Sequence, residues 1–324
     1  MGYRYSVFLQ NVGSCFDRYC PAYSEPFSVQ ELFDRAASIE HLSGVDIVLT
    51  PEIAEQWDEV KAHSERTGLA IVSLAVDLFT QSKFKQGSLS SIDAEIRSQA
   101  IGATKQAMDL ASEANCGMVT IWPGQDGYDS LFQADYIRER DWFAAGVKEA
   151  CLYRPDIDIV LEYKLKEPRT HSYVSTVGVA LLMVNEIGAE NCGIALDYGH
   201  ALLGYENPAE SVAMLKKYGN KLKHVHINDN YRHWDDDMIV GTVHTLEFLE
   251  FYYWLSRTEY KGWITVDQFP YRENGRDAVN ESVQWLLAFE RVMDRADPER
   301  IRDLIASKDA VGASRFMRKL LFDQ

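Results

Sequence analysis

The chain has 324 residues, 46% of them hydrophobic, and its 33 basic and 49 acidic side chains leave a formal charge of −16. That excess argues against nucleic acid and anionic membrane as partners. No stretch approaches the roughly 20 apolar residues of a membrane span. The length suits one large α/β barrel.

The start, MGYRYSVFLQ, lacks the apolar run of a secretory leader, and the five cysteines show no metal-type pairing, so a reduced, cytoplasmic setting is expected. Cys116, Cys151 and Cys192 lie in or beside apolar segments and read as small core residues. Cys15 and Cys20 flank a loop after the first strand, where a thiol can line a pocket.

In chain order, a strand is predicted over 5–10 and a helix over 29–39, where Ser28 and Glu31 have capping-box spacing. A strand at 45–50, a helix at 53–67 and a strand at 70–76 follow. The helix at 92–114 has Ser90 and Asp93 at cap spacing. Strands at 118–123, 157–164, 193–197, 223–228 and 263–268 then alternate with helices at 136–150, 176–187, 208–218, 246–257 and 278–293. Gly117, Gly193 and Gly262 are each read as lying just before a strand.

Eight strands alternating with eight helices predict a single (β/α)8 TIM barrel over 1–293. Helices at 298–306 and 310–322 make 294–324 a short C-terminal helical extension. The apolar residues of RFMRKLLFDQ are expected to pack on the barrel or on a partner subunit.

Four ligand-type residues end successive apolar strands: Glu162 in IDIVLEYK, Asp197 in CGIALDYGH, His226 in KHVHIN and Asp267 in WITVDQ. A parallel barrel brings such ends to one rim, where three carboxylates and one imidazole suit Mn²⁺, Mg²⁺ or Co²⁺ better than structural zinc. His200 follows Asp197 by three residues, in the turn DYGH. Asp235 and Asp237 in HWDDDM project the same way, away from Asp236, if that segment is extended. With His200 and a bridging Asp197 they form a candidate second cation site. Lys164, two residues after Glu162, shares its strand face and can hold a substrate oxygen. Trp122, ending the fourth strand in IWPG, offers an apolar wall.

At these residues the chain resembles the xylose isomerase-like barrel family, particularly xylose isomerase and L-rhamnose isomerase. The similarity runs nearly end to end. It is carried by LAVDLFTQSKFKQGSLSS, TIWPGQDGYD, the Glu-x-Lys…Glu-Pro-Arg pattern of LEYKLKEPR, LDYGHA and HINDNYRHWDDDM. The resemblance implies a metal-dependent aldose–ketose isomerase of carbohydrate metabolism with two cations per site. One would be held by Glu162, Asp197, His226 and Asp267, and a more mobile one by Asp197, His200, Asp235 and Asp237. Lys164 would contact substrate oxygens near C1, and Lys164, Asp237 and Asp267 would carry the chemistry. Trp122, His200 and Arg232 would bind substrate. A small-molecule sugar and a homo-oligomer, dimer or tetramer, are the implied partners.

The chain departs from xylose isomerase at the first two strand ends, LQNVG and VLTPEI, which lack its tryptophan and its ring-opening histidine. Two alternatives stay open. A ketose 3-epimerase of the tagatose 3-epimerase type is kept by Arg232, six residues after His226, a spacing which that family shares. A barrel that binds a sugar without turnover is kept by the missing histidine.

Overall fold

The computed structural model describes residues 2–16, 19 and 23–322. Short runs of β-branched and large apolar residues form its strands: β1 (Arg4–Phe8), β2 (Leu42–Leu49), β3 (Ala70–Val76), β4 (Met118–Ile121), β5 (Gly127–Tyr128), β6 (Asp158–Glu162), β7 (Lys166–Glu167), β8 (Thr170–Ser172), β9 (Cys192–Asp197), β10 (Leu222–Ile227) and β11 (Trp263–Val266). Eight of them close a parallel barrel in the order β1, β11, β10, β9, β6, β4, β3, β2. The last strand therefore pairs with the first, Ser6 lying opposite Thr265. The three shortest, β5, β8 and β7, make a small antiparallel sheet above the barrel strands, a feature too brief to leave a pattern in the sequence.

The helices are α1 (Val29–Ala37), α2 (Pro51–Glu55), α3 (Trp57–Thr67), α4 (Ala94–Glu113), α5 (Arg138–Tyr153), α6 (Val177–Ile187), α7 (Tyr198–Leu203), α8 (Pro208–Lys217), α9 (Thr245–Arg257), α10 (Gly275–Arg295), α11 (Pro298–Ser307) and α12 (Ala310–Phe322). The capping box of α1 forms as expected, Ser28 accepting from Glu31 N and Glu31 reaching back to Ser28 N. The expected helix over 53–67 is two helices. Thr50 caps the first, and Gln56 leaves helical geometry between them. Asp93, not Ser90, caps α4, because Ser90 is bonded instead to Asp126. Gly193 lies inside β9, while Gly117 and Gly262 do precede strands.

One apolar core runs between strands and helices, with Phe33, Phe143, Val184 and Phe248 fully buried. Each such side chain contributes about 1.5–3 kcal/mol by leaving water. Ile301, Phe316, Met317 and Leu320 of the last two helices pack against the same core. An apolar cavity of about 440 Å³ lies between α9, α10 and these helices, in the outer layer and not at the strand ends.

Inside the barrel the layer nearest the functional rim is polar. Ser6, Asp46, Ser73, Thr120, His224 and Thr265 are buried. Ser73 and Thr120 are joined at 2.6 Å, and so are Ser6 and Thr265. Cys15, Cys116, Cys151 and Cys192 are buried thiols, and Cys20 lies outside the described residues. Among the described residues no helix is long and apolar enough to cross a membrane.

Candidate metal centre

The parallel register delivers the four strand-end residues to one point. Glu162 and Asp197 are the last residues of β6 and β9. His226 lies on β10, level with Asp197 on one side and Thr265 on the other. Asp267 follows β11, and its N–H still donates to Ile227 O at 3.0 Å, so pairing carries it to the rim. Donor atoms of Glu162, Asp197, His226 and Asp267 all lie within 4.8 Å of one another. His226 Nδ1 stands 3.2 Å from Glu162 Oε1 and 3.9 Å from Asp267 Oδ2. The His226 ring is fully buried, yet neither nitrogen has a hydrogen-bond partner among the described residues.

The electrostatics reflect three carboxylates gathered around one ring. Burial, then the Glu162 charge, pushes Asp267 up to about 7. Burial raises Asp197 as well. Burial works against charge on His226, but Glu162 outweighs it and holds the ring up to about 10. Glu162 itself is lowered, His226 overcoming burial. The set fits a divalent cation. An orphaned buried imidazole nitrogen and three converging carboxylates offer four donors, and a central positive charge would offset their repulsion.

Two asparagines without a role in the sequence-based reading support the set. Asn228 Nδ2 donates to Asp267 O at 2.9 Å and leans on Asp197 at 3.4 Å. Asn11 Nδ2 donates to Asp267 Oδ1 at 3.3 Å. Asn228 follows His226 by two residues, just past the end of β10, so its spacing is a usable signal. Only glycine fits at 199, because a Cβ there would lie 1.8 Å from Asn228 Oδ1.

His200 sits in α7, which Asp197 caps by accepting His200 N at 2.7 Å. Its Nδ1 faces Tyr163 O at 3.0 Å and Glu162 Oε1 at 3.3 Å, and its Nε2 faces Asp235 Oδ2 at 3.1 Å. Burial opposes its charge, but Asp197 and then Asp235 win and hold it up to about 9.

Lys164 is 7% exposed, pairs with Asp235 Oδ2 at 2.8 Å and also meets Glu167. Its Nζ lies 5.4 Å from the Trp122 ring centre, and Phe79 meets that ring edge to face. The expected apolar wall thus stands beside the lysine.

The aspartate run is not extended. Asp237 takes a left-handed φ of 49°, while Asp236 turns back to accept Tyr231 N at 2.9 Å. Asp235 is buried and Asp237 half-buried, and burial followed by Asp235 raises the Asp237 carboxyl well above its usual range. Among the described residues, donor atoms of Asp197, His200, Asp235 and Asp237 do not converge as those of the first set do. Arg232 is not brought to the cluster. Its guanidinium lies 3.4 Å from Glu206 O and 3.9 Å from Glu247, facing α9. Cys15 does border the site, its thiol pushed up to about 12 by burial, then by Asp237 and Asp267.

Residues 33–289 match the family described as "Xylose isomerase-like TIM barrel". The chain belongs to that family. Xylose isomerase of Thermus thermophilus is 25% identical over 226 residues, 67% of this chain and 58% of the relative. Xylose isomerase of Chelativorans sp. (strain BNC1) is 27% identical over 188 residues, 56% of this chain and 43% of the relative. The chain thus spans about half the length of these relatives.

Among solved structures, a D-tagatose 3-epimerase-like protein superposes with a TM-score of 0.70 at 21% identity, covering 90% of this chain and 98% of its own. The 3-keto-D-glucoside 4-epimerase from E. coli gives 0.68 at 17% identity, covering 88% and 99%. At such identities these likenesses establish the shared fold of this xylose isomerase-like barrel.

Proposed function

We propose that this chain is a divalent-metal-dependent sugar isomerase interconverting an aldose and its ketose. The observation that carries the reading is the convergence of Glu162, Asp197, His226 and Asp267 around an unpartnered, buried imidazole. The xylose isomerases among the relatives support it. A cation held by these four (Mn²⁺, Mg²⁺ or Co²⁺) would supply Lewis-acid polarisation of the sugar oxygens.

The remaining roles belong to the chain's own groups. Lys164 stays cationic, since Asp235 and Glu167 outweigh its burial, and it binds a sugar oxygen near C1. Trp122 and Phe79 cover the C–H side of the sugar and exclude water. Asp267 and Asp237, both raised by burial, are the carboxyls that can hold a proton near neutral pH and pass it between neighbouring oxygens. A second cation at Asp197, His200, Asp235 and Asp237 requires Asp235 to release Lys164.

Ketose 3-epimerisation is the second reading. It is favoured by Glu162 and Asp267, two carboxylates flanking one point, and by the second donor set failing to converge. Metal-stripped protein, re-supplied with each cation and incubated with aldoses and ketoses in D₂O, separates the two by NMR. Cation-dependent aldose–ketose conversion with deuterium or hydride transfer at C1 and C2 supports isomerisation. Conversion confined to C3 moves the chain to the epimerases. Cation uptake without conversion of any sugar counts against both.

A further inference from the structure

Beneath the four strand-end residues lies a hydrogen-bonded unit that the proposed reaction leaves unused. Asp46 Oδ2 accepts from Ser6 Oγ at 3.0 Å and from Thr265 Oγ1 at 2.9 Å, and Asp46 Oδ1 lies 2.8 Å from His224 Nε2. All four side chains are fully buried. A carboxylate has no hydrogen to give, so His224 Nε2 carries it. In a neutral ring Nδ1 is then a bare lone pair, and none of the described residues bonds to it.

Two residues on, His226 projects from the same face of β10, and the two rings meet edge to face at 4.7 Å. Its Nδ1 faces Glu162 and Asp267. With a cation on Nδ1, the ring's one hydrogen lies on Nε2, which is buried with no partner among the described residues. An orphan donor and an orphan acceptor therefore stand on neighbouring rings. A nitrogen of each ring and an oxygen of Asp46 lie within 4.8 Å of one another. A water between the two rings would satisfy both, as buried waters do for stranded polar groups.

We propose that His224 and Asp46 are positioning residues for the metal centre. The chain Asp46–His224–water–His226 holds the Nε2–H tautomer of His226 and turns its Nδ1 lone pair to the rim. This rests on reading Glu162, Asp197, His226 and Asp267 as the cation site. Metal-bound histidines commonly donate their other N–H to a carboxylate, carbonyl or water. Here the carboxylate acts at one remove, through a second imidazole.

The test titrates Mn²⁺ into metal-free native protein, His224→Leu, His224→Gln and Asp46→Asn, with the metal-free melting temperature as the check on folding. His224→Leu is expected to weaken Mn²⁺ binding by about 10- to 100-fold, the usual effect of outer-sphere changes. His224→Gln recovers most of it, since its amide can donate to Asp46 and accept from the water together. In Mg²⁺-loaded native protein, nitrogen-15 NMR shows His226 Nε2–H in a hydrogen bond, a signature lost in His224→Leu. If His224→Leu does not fold, the contrast between a weakened Asp46→Asn and a near-native His224→Gln decides the matter in its place.

A folded His224→Leu with native Mn²⁺ affinity overturns the proposal alone. Loss of one bound cation in Asp46→Asn also overturns it, by making Asp46, His224 and His226 a cation site themselves. Native protein that takes up no cation overturns the reading of the rim, and this inference with it.

Discussion

Acidic residues stand above both halves of the barrel, but their surroundings differ. Asp77, directly after β3, accepts from Thr80 N at 2.9 Å, Thr80 Oγ1 at 2.6 Å and Gln81 Nε2 at 3.2 Å. Asp126, in the loop after β4, accepts from the N–H groups of Ser88 and Ser90 at 2.8 Å each and from both hydroxyls. These carboxylates pin loops. Across the barrel, Glu162 and Asp267 face each other and an unpartnered imidazole, with Asn11 the one amide donor to the Asp267 carboxylate among the described residues. An acid at a strand end is therefore not a site in itself. What sets Glu162 and Asp267 apart is a shortage of hydrogen-bond donors, which leaves negative charge for a cation to satisfy.

The largest test of that contrast is Glu162→Gln. It should lower turnover and Mn²⁺ affinity by more than about 100-fold, since outer-sphere changes alone cost about 10- to 100-fold. It should also abolish the rise in melting temperature that Mn²⁺ gives the native protein. A variant that still melts higher with Mn²⁺ contradicts the ligand assignment.

Asp237→Ala should cut turnover by about 100-fold or more, in the range of a lost proton-transfer group. The fold should stay intact in the metal-free state, because losing a carboxyl crowded by Asp235 offsets the strain of alanine at a left-handed φ. Native activity in this variant would remove Asp237 from the chemistry and a second cation with it.

Asp126→Ala probes the other half. It strands the buried N–H groups of Ser88 and Ser90, at about 1–3 kcal/mol each. Calorimetry should show a lower melting temperature while Mn²⁺ affinity is unchanged. A matching loss of Mn²⁺ affinity would erase the distinction between the halves.

The smallest expected effect is in pH. His200 and His226 are held up to about 9 and about 10, and Asp267 up to about 7. A raised folded-state value contributes stability that is fully present below the unfolded value and lost as pH rises through the folded one. For the histidines that window opens near an unfolded value of about 6.5. For Asp267 it opens near about 3.9. Denaturant titrations of metal-free protein should thus show less stability at pH 9 than at pH 6, with a larger Mn²⁺ increment at pH 9. A flat metal-free profile would mean that these charges do not face one another as described.

The alternation of apolar strands and amphipathic helices makes the barrel legible, and β3 has the bounds its sequence predicts. Glu162, Asp197, His226 and Asp267 are legible because each ends an apolar run. The fate of Asp235 and Asp237 is not, because a left-handed residue at 237 breaks the extended geometry that would set their directions. Arg232 also takes a left-handed φ, of 67°, and its side chain turns to Glu247. Asp46 stood in plain view as a charge inside the apolar run of β2. Strand alternation places it on one face, but its partners are 40, 178 and 219 residues away in sequence.

The Ser6–Asp46–His224–Thr265 unit joins β2, β1, β11 and β10, neighbours across the seam where the barrel closes. Its members span residues 6 to 265, so no chain that stops short of β11 can assemble it. Until β11 arrives, Asp46 lacks Thr265 and the rim lacks Asp267. Sliding β1 by one residue against β11 would turn Ser6 away from Thr265 and leave a buried carboxylate short of donors. The polar layer thereby acts as a proofreader of closure: the strand pairing that seals the barrel is the one that completes the rim.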